Sequence, residues 1–216
     1  MTMPDRRRLI LTAAAAAAPG AALAKAASKT SGKTPARKAA AAKVDVGAPH
    51  LLGPADAAKH FVLWGSYTCP YTAALFPILL KLQAETPKRV CIEWRHFPLP
   101  PPDPALHVAG QGLAGDAFWG FTTQILAFYL KEDRQPDGKD LLALAQANGE
   151  TQAWIDKAEA DPVLWSAVKR DLIAGQLMGV ASTPGLFVDG YFLTPDGMPS
   201  DAAGFEKSLR DMIAKA

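Results

Sequence analysis

The 216 residues carry a formal charge of +2, and nearly half of them (49%) are apolar, enough to bury the core of one domain or of two small ones. The charge is uneven: residues 1–43 hold nine basic side chains against Asp5 alone, whereas residues 44–216 hold 14 basic against 20 acidic, about −6. That sign excludes a nucleic-acid-binding body, which needs a basic surface, and a count of two cysteines excludes a framework of disulfide staples.

Residues 1–24 read as an export leader. Arg6, Arg7 and Arg8 precede Leu9-Ile10-Leu11, six alanines and the breaker Pro19-Gly20. Ala22-Leu23-Ala24 then supplies a small-x-small cleavage site, with Ala24-Lys25-Ala26 as an alternative. The apolar run is too short to span a bilayer; a short membrane-anchoring helix is the rival reading. Asp5 to Ile10 also fits the twin-arginine export pattern, and a plain arginine-rich Sec leader competes with it evenly. Export places the mature chain in the periplasm or another oxidising compartment, with no membrane span of its own. Residues 25–49 read as a flexible, basic, Ala/Lys-rich tether, since 25–43 lack any bulky apolar side chain to offset the entropy of ordering.

One globular domain is expected over 50–216. Phe61-Val62-Leu63-Trp64-Gly65 is the short apolar run of a strand buried on both faces. Pro70 suits the first position of a helix, where its missing N–H would be unpaired anyway. The helix from Pro70 to about Ala84 is apolar over most of its surface and kinked at Pro77. Val90–Phe97 is a second strand, ended by the Pro-rich stretch 98–104. Five helices follow over Ala105–Leu113, Asp116–Lys131, Lys139–Ala147, Thr151–Glu159 and Pro162–Met178, separated by Gly, Pro and Asp signals. Asp161 caps the last of them. Gly185–Val188 returns to strand, Asp189-Gly190 turns tightly into Tyr191-Phe192-Leu193, and Asp201–Lys215 closes the chain as an amphipathic helix. The class is α/β, with helices on both faces of the sheet and an all-helical insertion at about 105–178.

Cys69 stands where the first strand hands over to the helix. The unpaired N–H groups and dipole of a helix N-terminus favour thiolate, the nucleophile of disulfide exchange. Thr72, one turn on, is placed to donate its hydroxyl to the sulfur. Cys91 lies past the other end of that helix, about 22 Å away at 1.5 Å per residue. A disulfide needs Cα atoms within about 7 Å, so Cys91 reads as a small buried apolar residue. His50, His60, His96 and His107 match no metal-ligand spacing and read as structural or solvent-facing. Phe118, Trp119, Phe121, Phe128 and Tyr129 read as core. No cofactor or metal is expected.

These features together resemble the DsbA-like branch of the thioredoxin superfamily. Cys69-Pro70-Tyr71 occupies the place of the family's Cys-Pro-x-Cys site, Pro77 its helix kink, and Ser182-Thr183-Pro184 its Thr–cis-Pro loop. Leu51-Leu52-Gly53 and the helical insertion match the branch as well. The resemblance covers about 50–216 and implies a thioredoxin fold. It also implies a cis Pro184 with Thr183 beside Cys69, and substrate contact through Pro70, Tyr71, Thr183 and Pro184. Glu93 is placed toward the buried side of the active helix, where some family members keep a carboxylate. The departure is Thr72, which stands where the family has its second cysteine. The reading that follows is a monothiol exchange protein, with Cys69 and Thr72 as its catalytic residues. Its partners would be exported thiol- or disulfide-containing proteins, glutathione or a redox partner. A non-redox peptide-binding module and a thiol peroxidase are the alternatives.

Overall fold

Five strands and seven helices occur among residues 49–194 and 201–216, the part of the chain that the computed structural model describes. Residues 1–48, on which the expected leader (1–24) and all but the last residue of the expected tether (25–49) fall, lie outside the described residues. In chain order the elements are β1 (His50–Leu52), β2 (Lys59–Gly65), α1 (Pro70–Glu85), β3 (Val90–His96), α2 (Asp103–Gln111) and α3 (Gly115–Glu132). There follow α4 (Gly138–Ala147), α5 (Gln152–Ala160), α6 (Pro162–Leu177), β4 (Gly185–Val188), β5 (Tyr191–Phe192) and α7 (Ala202–Ala214).

The sheet order is β1-β3-β2-β4-β5. Only β2 and β3 run parallel, from Lys59 opposite Val90 to Gly65 opposite His96, and α1 makes the crossover that a parallel pair requires. The β4–β5 hairpin turns at Asp189-Gly190, both with positive φ (50° and 81°), as a tight two-residue turn demands. Asp161 caps α6 as expected, accepting from Val163 N, while Thr151 and Asp201, expected as first helical residues, are caps too, accepting from Trp154 N and Gly204 N. The insertion begins earlier than the sequence suggests, at Asp103. Pro104 sits in the first turn of α2, where a proline costs no hydrogen bond.

Side-chain alternation splits the strands between two cores. Phe61, Leu63, Ile92 and Trp94 pack with Phe76 and Leu79 of α1, Phe118 of α3 and Leu209 of α7. Trp64, Phe97, Ala174, Val180 and Phe187 form a second cluster beneath α6. Gly175 permits that approach, because a Cβ there would lie 2.6 Å from Trp64 Nε1. The described residues include no helix long and apolar enough to cross a membrane.

On the α6 face His60 Nε2 lies 3.0 Å from Glu93 Oε2. The His60 imidazole is raised to about 10, first by the sulfur of Cys91, its register partner, and then by Glu93. Burial pushes Glu93 up, but His60 and Arg95 outweigh it and leave the carboxyl lowered. The folded imidazole therefore holds its proton above the unfolded value of 6.5. Its stabilisation is complete below 6.5 and is lost as the pH rises through about 10. The share of Glu93 is present above its ordinary 4.5 and is lost as the pH falls through its depressed value. Thermal unfolding of His60→Gln should thus fall furthest below the natural protein at about pH 6, with the gap closing toward pH 10. A gap that stayed constant across that range would show that the pair carries no charge interaction.

Candidate functional site

β2 ends at Gly65, and three residues carry the chain to Cys69, the N-cap of α1. The Cys69 backbone is extended (φ −96°, ψ 120°), and its carbonyl accepts from Ala73 N at 3.0 Å. Pro70 opens the helix, the first turn holds no acidic residue, and no side chain caps its N–H groups. The Cys69 sulfur therefore sits at an uncapped helix N-terminus, where negative charge is favoured. Sγ–H donates to Thr183 O at 3.2 Å, and the Thr183–Pro184 peptide is cis. Cys69 is 5% exposed, whereas Tyr71 beside it is 57% exposed. Pro70 is exposed as well.

Thr72 differs from expectation in its contacts. It is fully buried, and its Oγ1 accepts from Ser66 N at 3.4 Å rather than donating to the Cys69 sulfur. At the third helical position the side chain points back over the preceding loop, the usual direction of helix side chains. Glu93 differs too. Ile92 and Trp94 face α1, so Glu93 between them faces α6, where it accepts from Arg95 Nε and meets His60. It is no partner of the active helix. Cys91, the second residue of β3, lies on that same far face, fully buried, and both cysteines are free.

The sequence profile of the family described as thioredoxin matches residues 45–210. The chain belongs to the thioredoxin family. Within it the fold is DsbA-like, with α2–α6 as the all-helical insertion. ScsC of Proteus mirabilis shares it at a TM-score of 0.64 and 19% identity, over 84% of this chain and 82% of that one. A protein-disulfide isomerase from Novosphingobium aromaticivorans shares it at 0.60 and 20%, over 76% of this chain and 97% of that one. At such identities the likeness carries the fold. A curated relative, the Na(+)/H(+) antiporter NhaA 1 of Salinispora arenicola, is 29% identical over 151 residues, 68% of this chain. The match spans 22% of that relative's length.

Beneath the site, this thioredoxin-family chain holds a polar group that sequence reasoning missed. Asp103, fully buried in the first turn of α2, accepts from Tyr67 N (3.0 Å), Ser66 Oγ (2.7 Å) and Leu99 N (2.7 Å). Ser66 Oγ in turn accepts from Thr68 N at 3.1 Å. Its one visible signal is the i,i+4 spacing of Asp103 and His107 on a helix. On the far face Asp171 binds Arg95 Nη1 and His96 N, and burial raises its carboxyl to about 6 against the pull of Arg95. Tyr129 of α3 is raised by burial first, then by the charges of Asp133 and Cys69. Among the described residues, no three His, Cys, Asp or Glu side chains are arranged to hold a metal ion.

Proposed function

We propose that this chain is an exported thiol–disulfide exchange protein that works through the single thiol of Cys69. The observation that carries the reading is the uncapped helix N-terminus under a sulfur whose neighbour one turn on is Thr72, so the site holds one thiol only. The Cys69 thiol first gives its proton to solvent. The thiolate then attacks one sulfur of a partner disulfide; the S–S bond breaks, a Cys69–S–S–partner bond forms, and the other partner sulfur leaves as thiolate. An outside thiolate, from the partner, glutathione or a redox protein, attacks that bond and returns Cys69 as thiolate. No electrons are gained or lost over the two steps. Pro70, Tyr71, Thr183 and Pro184 form the surface that the partner chain meets. The protein-disulfide isomerase that shares the fold supports the same chemistry here.

The natural protein, expressed in an exporting bacterium and acid-quenched, should carry mixed disulfides with exported proteins. Cys69→Ser should lose all of them and Cys91→Ser should keep them. Partner capture unchanged in Cys69→Ser would replace the redox reading with that of a peptide-binding module. Export itself rests on the leader at 1–24 and the tether at 25–49. N-terminal sequencing of periplasmic material should find a start near Lys25 or Ala27, and recovery of only an uncleaved cytoplasmic form would refute it.

A further inference from the structure

We propose that Asp171 is a positioning residue for Cys69: its side chain ties α6 to the end of β3 and thereby holds the cis-Pro loop against the sulfur. That consequence for Cys69 rests on the function proposed above, while the tie itself is made by contacts that do not involve the sulfur. Two stretches of chain meet at the site. One runs from Trp64, near the end of β2, to Cys69, and the other from α6 through Val180 to Thr183 and cis-Pro184. They touch where Sγ–H donates to Thr183 O, 3.2 Å away. Cys69 is buried, so a reagent reaches it only when the two stretches part.

Asp171 fastens the two stretches through three of its oxygens. Oδ2 accepts from His96 N at 3.0 Å, Oδ1 from Arg95 Nη1 at 3.1 Å, and the backbone carbonyl from Trp64 Nε1 at 3.1 Å. The partners lead to the site. His96 is the register partner of Gly65, whose carbonyl accepts from Phe97 N, and Gly65 opens the run to Cys69. Trp64 pairs with Gly185, the residue after cis-Pro184. On the other stretch Val180 N donates to Gly175 O, one turn past Asp171, and a Cβ on Gly185 would lie 2.7 Å from Val180 Cγ1. The seam that starts at Asp171 therefore ends at Sγ and Thr183 O.

Packing alone would hold α6 on the sheet, since Trp64, Phe97, Ala174, Val180 and Phe187 form an apolar cluster there. A buried carboxylate adds little to stability beside such a cluster, because its desolvation offsets what its partners return. Burial accordingly raises the Asp171 carboxyl to about 6 against the pull of Arg95 and of His96 N, which leaves it a carboxylate at about pH 8. Arg95 also donates Nε to Glu93, so the guanidinium is held from two sides. What Asp171 supplies is direction. Two donors from consecutive residues of β3 meet the two oxygens of one side chain, which fixes where α6 lies along the strand.

The test measures, in the full chain at about pH 8, alkylation of Cys69 by iodoacetamide and hydrogen exchange of the His96 amide. Asp171→Leu keeps a side chain of similar shape and removes both acceptors. It should speed alkylation about tenfold and cost the His96 amide about tenfold in protection, with the Phe61 and Leu63 amides of β2 unchanged. Asp171→Asn keeps an oxygen for His96 N, so it should restore the larger part of both values. Rescue by the amide, with the β2 amides steady, separates positioning from a general loss of stability. If Asp171→Leu fails to fold, Trp64→Phe serves in its place. It removes the Nε1 donor to the Asp171 carbonyl and should speed alkylation several-fold. Measurable alkylation that stays unchanged in whichever variant folds would overturn the proposal. So would β2 amides that lose protection in step with His96, or an Asp171→Asn protein that restores nothing. A Cys69 that stays unmodified in the natural protein and in every variant would instead refute the proposed function, with His96 exchange still deciding the tie.

Discussion

Thr72→Cys should give a site that cycles between dithiol and disulfide, where the natural site is expected to form lasting mixed disulfides. Residue 72 lies three positions after Cys69, and α1 begins between them. Cα atoms one helical turn apart are about 5–6 Å from each other, inside the range a disulfide spans. The substituted sulfur would occupy the buried space of the threonine hydroxyl and methyl. The cost is the 3.4 Å contact from Ser66 N, about 1 kcal/mol for a hydrogen bond whose acceptor becomes a weak one. A thiol held in place acts at millimolar or higher effective concentration, so it should release a mixed disulfide about a thousandfold faster than a micromolar outside thiol. The variant, pre-oxidised, should therefore oxidise a reduced test protein that the natural chain leaves reduced. Equal rates for the two proteins would mean that this strand-to-helix junction does not support exchange.

Trp94→Ala should cost about 3–5 kcal/mol of folding stability, the range for removing a large buried aromatic, and lower the midpoint of thermal unfolding by roughly 10 °C or more. Trp94 is fully buried. Its ring stacks on Tyr67 at 5.2 Å and meets Phe76 edge-on at 5.9 Å and Phe118 at 6.5 Å, which joins β3 to the loop, α1 and α3. The substitution also removes the Nε1 donor to His96 Nδ1. Trp94→Phe should recover most of the packing but not that donor. Urea titration of the three proteins measures the effect; a loss below about 1 kcal/mol for the alanine variant would contradict the placement of Trp94 at the centre of the core.

The fold was largely legible because its signals are local. Asp189-Gly190 announces a turn, Asp161-Pro162 a helix start, and apolar Phe61–Gly65 a buried strand, each through interactions within a few residues. Cys69-Pro70 and Thr183-Pro184 were legible as motifs, and the structure joins them by the 3.2 Å contact from Sγ to Thr183 O. What the sequence hid depends on pairings distant along the chain. Asp103 sits in a proline-rich stretch that reads as the end of a strand, yet its partners are Ser66 and Tyr67. His96 and His107, 11 residues apart, meet only because β3 and α2 fold together. Strand alternation separates Glu93 from Trp94, but with both faces of the sheet covered it does not say which one holds α1. Thr72 stands plainly in the place of the missing cysteine, while its contact with Ser66 depends on how the loop folds back over α1.

Cys69 is expected to be the one nucleophilic thiol of this protein. Brief incubation of the reduced natural protein with oxidised glutathione, followed by acid quenching and peptide mass mapping, tests it most directly. The expected product is a chain carrying a single glutathione, attached at Cys69, with Cys91 unmodified. An adduct on Cys91, a Cys69–Cys91 bridge, or an unmodified chain under conditions that label a free low-molecular-weight thiol would contradict it.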